Sequence, residues 1–440
     1  NLRRINTFLA YSSNCQDEAA VAHYNAVARF FRAFFYFEKV KAFGNVPWVE
    51  VELGSEDEQL YAPRDSREFV MQKMIEDIDI AIANLPSERN VYKITKWTAM
   101  ALKSRFCLFE GTFRKYHNIT EYENGADYYL ELAAQVSQTF ITSSGYSIAK
   151  DAKDPSANYR KLFSTMNATN TEVILAKDFN AALDLVHNVG GAFNTATNGR
   201  YGMTKKAVAA YLMKDGSRFT DKAGWETMSF MDEVKDRDPR LEQSIITPTY
   251  IRDEETVTSP QNMANTTTGY APIKYLTTAA YNAYNKAEID LILFRSAEVY
   301  LNYAEAKAEL GTLTQDDLDM SVNKLRERVG MPAMNMAEAN AKPDPFLKAP
   351  ASGENTWGGF SKVATGGNEG VILEIRRERM VELIQEGHRY YDIIRWAEGK
   401  IFESPLYGIY VPQPENGKVI FDFNGDGTND YCVYQTDKPY

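Results

Sequence analysis

Cysteine is scarce in this 440-residue sequence, and its three copies, Cys15, Cys107 and Cys432, are widely scattered. An odd, dispersed set defines neither a disulfide framework nor a thiolate zinc site. Only four histidines occur, His23, His117, His187 and His388, with no H-E-x-x-H run and no close His/Cys pairing, so metal-assisted hydrolysis lacks its ligands. A G-x-S-x-G nucleophile turn and a phosphate-cradling G-x-x-x-x-G-K-[ST] loop are also missing. No run of 18 or more apolar residues exists, which excludes a membrane-spanning helix. Basic residues fall short of acidic ones, 49 against 60, and the net charge of −11 argues against a nucleic-acid backbone as partner.

What is present is helix text at both ends of the chain. The stretch HYNAVARFFRAFFYFEKVKAF, 23–43, repeats apolar residues at Ala26, Phe30, Ala33, Phe37 and Val40, and Gly44 with Pro47 ends it. A second helix is expected from Asp65, where Asp65 and Glu68 form a capping box, through Val70, Met74, Ile78 and Leu85. Thr95 caps a third, carrying Leu102, Phe106, Phe109 and Phe113, and places Cys107 as a small core residue. A fourth runs from about 125 to 141, and the opening text reads as if it begins inside a helix, without the features of a signal peptide. Helices resume at 286: IDLILFRSAEVYLNYAEAKAELG, 289–311, aligns Ala297, Ala304 and Ala308, and DDLDMSVNKLRERVG, 316–330, is its partner before Pro332. That helix, turn, helix, proline layout has a tetratricopeptide-like period of roughly 34 residues.

The middle is different. Residues 142–286 are rich in Asn, Thr, Gly and Pro, with one strand, EVILAKDF at 172–179, and a short helix around 205–213. Loops such as GGAFNTATNGRYG, 190–202, and TVTSPQNMANTTTGY, 256–270, are where a scaffold carries binding surfaces. Three regions follow: a helical scaffold over 1–141, a loop-rich inserted subdomain over 142–285, and tetratricopeptide-like helices with terminal loops over 286–440.

The most heavily charged helix text is VILEIRRERMVELIQEGHRYYDIIRWAEGK, 371–400. An apolar stripe, Ile372, Ile375, Leu383 and Ile384, is interleaved there with Glu374, Arg376, Arg377, Glu378, Arg379, Glu382 and Glu386. Gly387 supplies the residue that closes the first helix. Two readings compete: a solvated face whose i,i+3 and i,i+4 pairs are each worth only ~0.2–0.5 kcal/mol, or a network. In the second, Arg379, Glu382, Arg389 and Arg395 reach across the bend and tie neighbouring helices, and breaking a pair costs ~3–5 kcal/mol.

Five blocks in order carry a family likeness: ARFFRAFFYFEKVKAFGNVPWV, 28–49; MDEVKDRDPRL, 231–241; LFRSAEVYLNYAEAKAELG, 293–311; NKLRERVGMP, 323–332; and IRRERMVELIQEGHRYYDIIRW, 375–396. With these the chain resembles the SusD/RagB family of outer-membrane glycan-binding lipoproteins of Bacteroidetes. The resemblance implies a mostly helical scaffold of tetratricopeptide-like helix pairs bearing a large irregular loop-rich subdomain. It also implies capture of an oligosaccharide or polysaccharide at the cell surface and delivery to a SusC-like TonB-dependent transporter. The lipobox cysteine is absent from this text and Cys15 lies outside any lipobox, so an outer-membrane anchor through an N-terminal lipid follows from the resemblance alone.

A glycan surface needs flat rings for the C–H faces of the sugar, with amides and acids for its hydroxyls. Tyr201, Trp225, Tyr270, Trp357 and Phe360 lie in or beside polar loops and are the candidate rings, with Asn194, Asn198 and Arg200 as hydrogen-bonding companions. Trp48 and Trp97 read as packing. No catalytic residue and no cofactor is assigned. An α-helical glycoside hydrolase stays open as the alternative because 60 acids leave room for a pair at glycosidase spacing, although none stands out from the helix-face background, and a protein-interaction scaffold without sugar binding is the third reading. The DFNGDGTND turn, 422–430, places Asp422, Asn424, Asp426 and Asp430 at positions one, three, five and nine of a calcium-type loop, with Val433 where the bidentate Glu belongs. Either it is an acidic turn without metal or it holds a structural calcium completed by distant groups.

Overall fold

Helices begin where the sequence supplies a cap. In a computed structural model that describes residues 1–150, 158–168, 171–193, 195–259, 261–364, 367–412, 418–422, 427–428 and 431–434, α1 covers Leu2–Tyr11 and α2 Glu18–Phe43. Asp17 caps α2 by accepting from the Ala20 N–H, and Gly44 closes it at φ 69°. The next helices are α3, Arg67–Asn84, α4, Lys96–Tyr116, and α5, Ala126–Ser143. Thr95 caps α4 in a capping box shared with Thr98. At α3 the cap is Ser66, not Asp65: the Asp65 carboxylate is instead occupied by the Trp48 N–H at 2.7 Å, pinning the extended arm that follows α2.

The α2/α3 and α4/α5 pairs pack side by side, giving a predominantly helical chain built from helix pairs. Phe30, Phe37, Met74, Ile78, Phe106, Leu130 and Phe140 meet in their shared core. Burial of such side chains stabilises by ~1.5–3 kcal/mol each.

The central region contributes β1, Val173–Lys177, and the short helices α6, Val189–Phe193, α7, Lys205–Ala209, and α8, Phe230–Glu233. The expected single helix over 289–311 is two elements. Leu291–Arg295 is β2, antiparallel to β1, and Ser296–Glu309 is α9. The run LILF suits a strand as well as a helix, and the edge of β1 decides between them; the Ser296 N–H then donates to the Glu172 carbonyl as α9 begins. The expected partner helix also breaks, at Ser321, into α10, Gln315–Met320, and α11, Val322–Arg328. After α12, Met336–Ala341, come α13, Glu369–Glu382, and α14, Arg389–Arg395. A hairpin of β3, Lys418–Phe421, and β4, Tyr431–Tyr434, follows.

Every residue of α13 from Gly370 to Glu382 is buried, so the solvated-face reading of its charges fails. Glu382 accepts from Arg240, Arg295 and Arg328, at 3.2, 2.7 and 2.5 Å. Arg295 and Arg328 also share Glu172, Arg240 reaches Glu378 and Asp238, and Lys274 meets Glu386. Burial alone would raise the Glu382 pKa, but Arg328, Arg295 and Arg240 outweigh it and hold the carboxyl well below the usual range. Across the Gly387 bend, Arg379 donates to Asp392 on α14 at 2.8 Å and to Asn302 on α9 at 2.7 Å. Arg395 grips Glu305 of α9 and Asp392. Arg389 differs: among the described residues it makes no ion pair, its guanidinium lies over Phe360 and Trp396, and its Nη1 is buried without a hydrogen-bond partner.

Candidate functional site

Three segments that are distant in the sequence lie edge to edge on one face. The Thr267 N–H donates to the Arg200 carbonyl, the Ile409 N–H to Thr268, and the Lys205 N–H to Tyr407. The contact is close enough that a Cβ on Gly202 would strike the hydroxyls of Thr266 and Thr268, and one on Gly408 would strike the Thr268 backbone. Glycine is therefore required at both positions by space. This stack positions an exposed turn at one end and an apolar pocket at the other.

The turn carries Asn198, Arg200 and Tyr201, all exposed, with the Tyr201 ring half out in solvent and its inner edge against Phe193 at 5.5 Å. Arg200 adopts φ 50° and so presents its side chain from a left-handed bend. Asn194 lies outside the described residues.

The pocket has a volume of about 210 Å³ and is lined by Lys206, Trp357, Met380, Arg389, Phe402 and Tyr407 among others. Trp357 is half-buried, its centroid 5.0 Å from that of Tyr407 on one side and 4.7 Å from that of Trp225 on the other. Phe402 and Tyr407 are 58% and 40% exposed, and Leu406 and Tyr390 extend the apolar rim. Lys206 on α7 points its amine at the Gly358 carbonyl. Burial lowers the pKa of that amine to about 7, with Arg389 adding to the effect and Glu398 opposing it. Burial likewise lowers Arg389 to about 10, against the pull of Asp392.

Three of the expected rings are not surface platforms. Trp225, Phe360 and Tyr270 are 7%, 3% and 0% exposed. Trp225 and Phe360 form the apolar floor under Trp357, with Phe219, Phe346 and Trp396. Tyr270 is buried between Met203 and Phe230 and donates its hydroxyl to Glu233 at 2.7 Å. A polar neighbourhood in the sequence does not say to which side a ring turns, and here these three fill the core beneath the loops. Tyr201 and Trp357 stay accessible, at opposite ends of the stack. Phe402, Tyr407 and Lys206 were not among the expected residues. The segment IFESPLYGIY, with aromatics beside Ser, Pro and Gly just after the last helix, was the available signal.

Of the expected calcium ligands, Asn424, Asp426 and Asp430 lie outside the described residues. Asp422 accepts the Gly427 N–H at 2.8 Å. Among the described residues no group of three or more His, Cys, Asp or Glu converges to hold a metal ion.

Comparison with known proteins places matches along most of the chain. Residues 147–438 match the family described as the SusD family, and residues 1–108 match one described as starch-binding associating with outer membrane. A SusD-like protein of Formosa agariphila is 24% identical over 409 residues, 86% of this chain and 67% of that protein. Among solved structures, a SusD-like protein of Bacteroides fragilis is 23% identical with a TM-score of 0.67, over 90% of this chain and 73% of its own. A SusD-like carbohydrate binding protein of the same organism is 21% identical with a TM-score of 0.68, over 93% and 74%. At these identities the structural likeness speaks for the fold.

Proposed function

This chain belongs to the SusD family, whose members are non-catalytic, and from that premise we propose that it is a cell-surface binder of oligosaccharide. On this reading it captures the sugar and delivers it to a SusC-like TonB-dependent transporter, held at the outer membrane by an N-terminal lipid. Its helix pairs α2/α3 and α4/α5 serve as tetratricopeptide-like scaffold, and the loop-rich face bears the ligand. The observation that carries the reading is the accessible ring set Trp357, Phe402 and Tyr407 around a cavity. Rigid rings offer apolar area with few rotamers to freeze, which suits the C–H face of a pyranose. Tyr201, with Asn198 and Arg200, offers a second contact for a longer chain.

A glycan array on the purified protein, followed by calorimetry with its best ligand, tests this. Trp357→Ala and Tyr407→Ala are each expected to weaken binding at least fivefold while the far-ultraviolet circular dichroism stays that of the parent. Unchanged affinity in both variants removes the pocket from the binding surface. Release of shorter sugars from the bound glycan on prolonged incubation replaces binding with glycoside hydrolysis.

A further inference from the structure

The pocket behind Trp357 has an unusual charge inventory. Its lining contains two cationic side chains, Lys206 and Arg389, and three hydroxyl groups, on Thr204, Ser404 and Tyr407, but no Asp, Glu, Asn or Gln. A pocket for a neutral sugar needs strong acceptors as well as donors, because every sugar hydroxyl donates one hydrogen. This one has donors in excess: Lys206 and Arg389 only donate, and among its polar side chains only the three hydroxyls can accept.

Among the described residues neither Lys206 nor Arg389 makes an ion pair. The carboxylates nearest in effect are committed elsewhere: Glu398 accepts from the backbone N–H groups of Ser361 and Lys362 and from the Ser361 hydroxyl, and Asp392 from Arg379 and Arg395. Among the described residues the Lys206 amine donates to the Gly358 carbonyl, a neutral partner, and Arg389 keeps a buried N–H group unpaired. Burial disfavours the charged form of both groups, and a bound anion between them stabilises the ammonium and the guanidinium together. The rings around them exclude water and strengthen any charge pair formed there. At about 210 Å³ the cavity is smaller than the roughly 300–1,000 Å³ of a drug-sized site and suits one sugar ring or its substituent.

We propose that this pocket is a subsite for an acidic sugar unit, whose anionic oxygens sit between the Lys206 amine and the Arg389 guanidinium while its ring lies against Trp357 and Tyr407. The inference rests on the oligosaccharide-binding reading and narrows it to glycans bearing a carboxylate or a sulfate ester. A guanidinium can hold either group in a two-point contact, and the amine adds a point charge.

The test is an array of neutral, uronate-containing and sulfated oligosaccharides, with each acidic hit then compared by calorimetry with its carboxyl-reduced or desulfated counterpart. The expected result is that acidic members bind and that removing the charge weakens binding at least tenfold; whether uronates or sulfate esters lead identifies the group. Lys206→Met should abolish most of that preference and Lys206→Arg should retain it, with both melting as the parent does. Arg389→Gln should act like Lys206→Met, and the lysine pair decides the matter should the arginine variant not fold. Binding confined to neutral glycans, or an acidic preference intact in folded Lys206→Met, overturns the subsite and leaves the oligosaccharide reading standing. Absence of binding to any glycan overturns both.

Discussion

Arg379 shows how one side chain joins three helices. Its Nε faces the Asp392 carboxylate of α14 and its Nη1 the Asn302 amide of α9, while it sits on α13. Truncation leaves Asp392 with Arg395 alone and Asn302 with an empty acceptor, both buried. Arg379→Ala is therefore expected to cost about 3–5 kcal/mol, against about 0.5 kcal/mol for an exposed helix pair. Urea unfolding reads the difference directly, and a midpoint equal to that of the parent would place the side chain in solvent. The sequence shows that charges crowd this helix, but a row of Glu and Arg at helical spacing looks the same on a wet face as in a core. What settles it is the arrival of Arg240, Arg295 and Arg328 from other segments. The rings obey the same rule: Trp225 and Trp357 both sit among polar neighbours, and only packing turns one inward.

Among the elements, those stabilised mainly by local signals were legible. The end of α2 and the start of α4 follow from Gly44 and Thr95, and their apolar spacing names the core residues they bury, whereas α2 begins at Glu18 behind the Asp17 cap and not at 23 as expected. Elements decided by a distant partner were not, which is why 289–311 divides into β2 and α9 only once β1 is in place. The start of α3 is a local signal read one residue off, and it makes a sharp prediction. Ser66 Oγ accepts the Phe69 N–H, so Ser66→Ala should lower stability by about 1 kcal/mol through loss of the cap. Asp65→Ala acts by a different route, freeing the Trp48 N–H and the arm after α2. Hydrogen exchange separates the two: protection is lost in the first turn of α3 for Ser66→Ala and around residues 46–50 for Asp65→Ala. The candidate site belongs with the distant-partner elements, because Lys206, Trp357, Arg389 and Tyr407 come from separate segments that meet only in the fold, through contacts such as Lys205 with Tyr407 and Lys206 with Gly358.

For the whole molecule, buried charge couples stability to pH. His388 sits beside the Gly387 bend with its side chain mostly buried, its Nδ1 3.8 Å from Glu298. Burial lowers its pKa to about 4, Glu298 offsetting only part of this, while Arg105 and Arg379 push the same way. The native state thus prefers neutral imidazole, while the unfolded chain takes up a proton near pH 6.5. The stabilisation is complete above about pH 6.5, declines as the unfolded state gains its proton, and is lost as pH falls through about 4. The distance from about 6.5 to about 4 corresponds to on the order of 3 kcal/mol. His187, also lowered by burial, acts in the same direction. Carboxylates of the network act lower down: burial raises Glu298 and Asp392, but their arginines prevail and bring each to about 2, so their contribution is present above roughly pH 4 and fades as pH falls toward 2. Between pH 6.5 and 4.5 the histidines are opposed by Glu374, whose carboxyl burial raises to about 7, so that the folded chain takes up that proton before the unfolded one does. Glu374 is common to both proteins, so across this interval the urea midpoint of the parent should fall relative to that of His388→Gln, whose neutral side chain takes up no proton in either state. Parallel curves for the two proteins would mean that His388 is charged in the folded chain, and the burial assigned to the bend would be wrong.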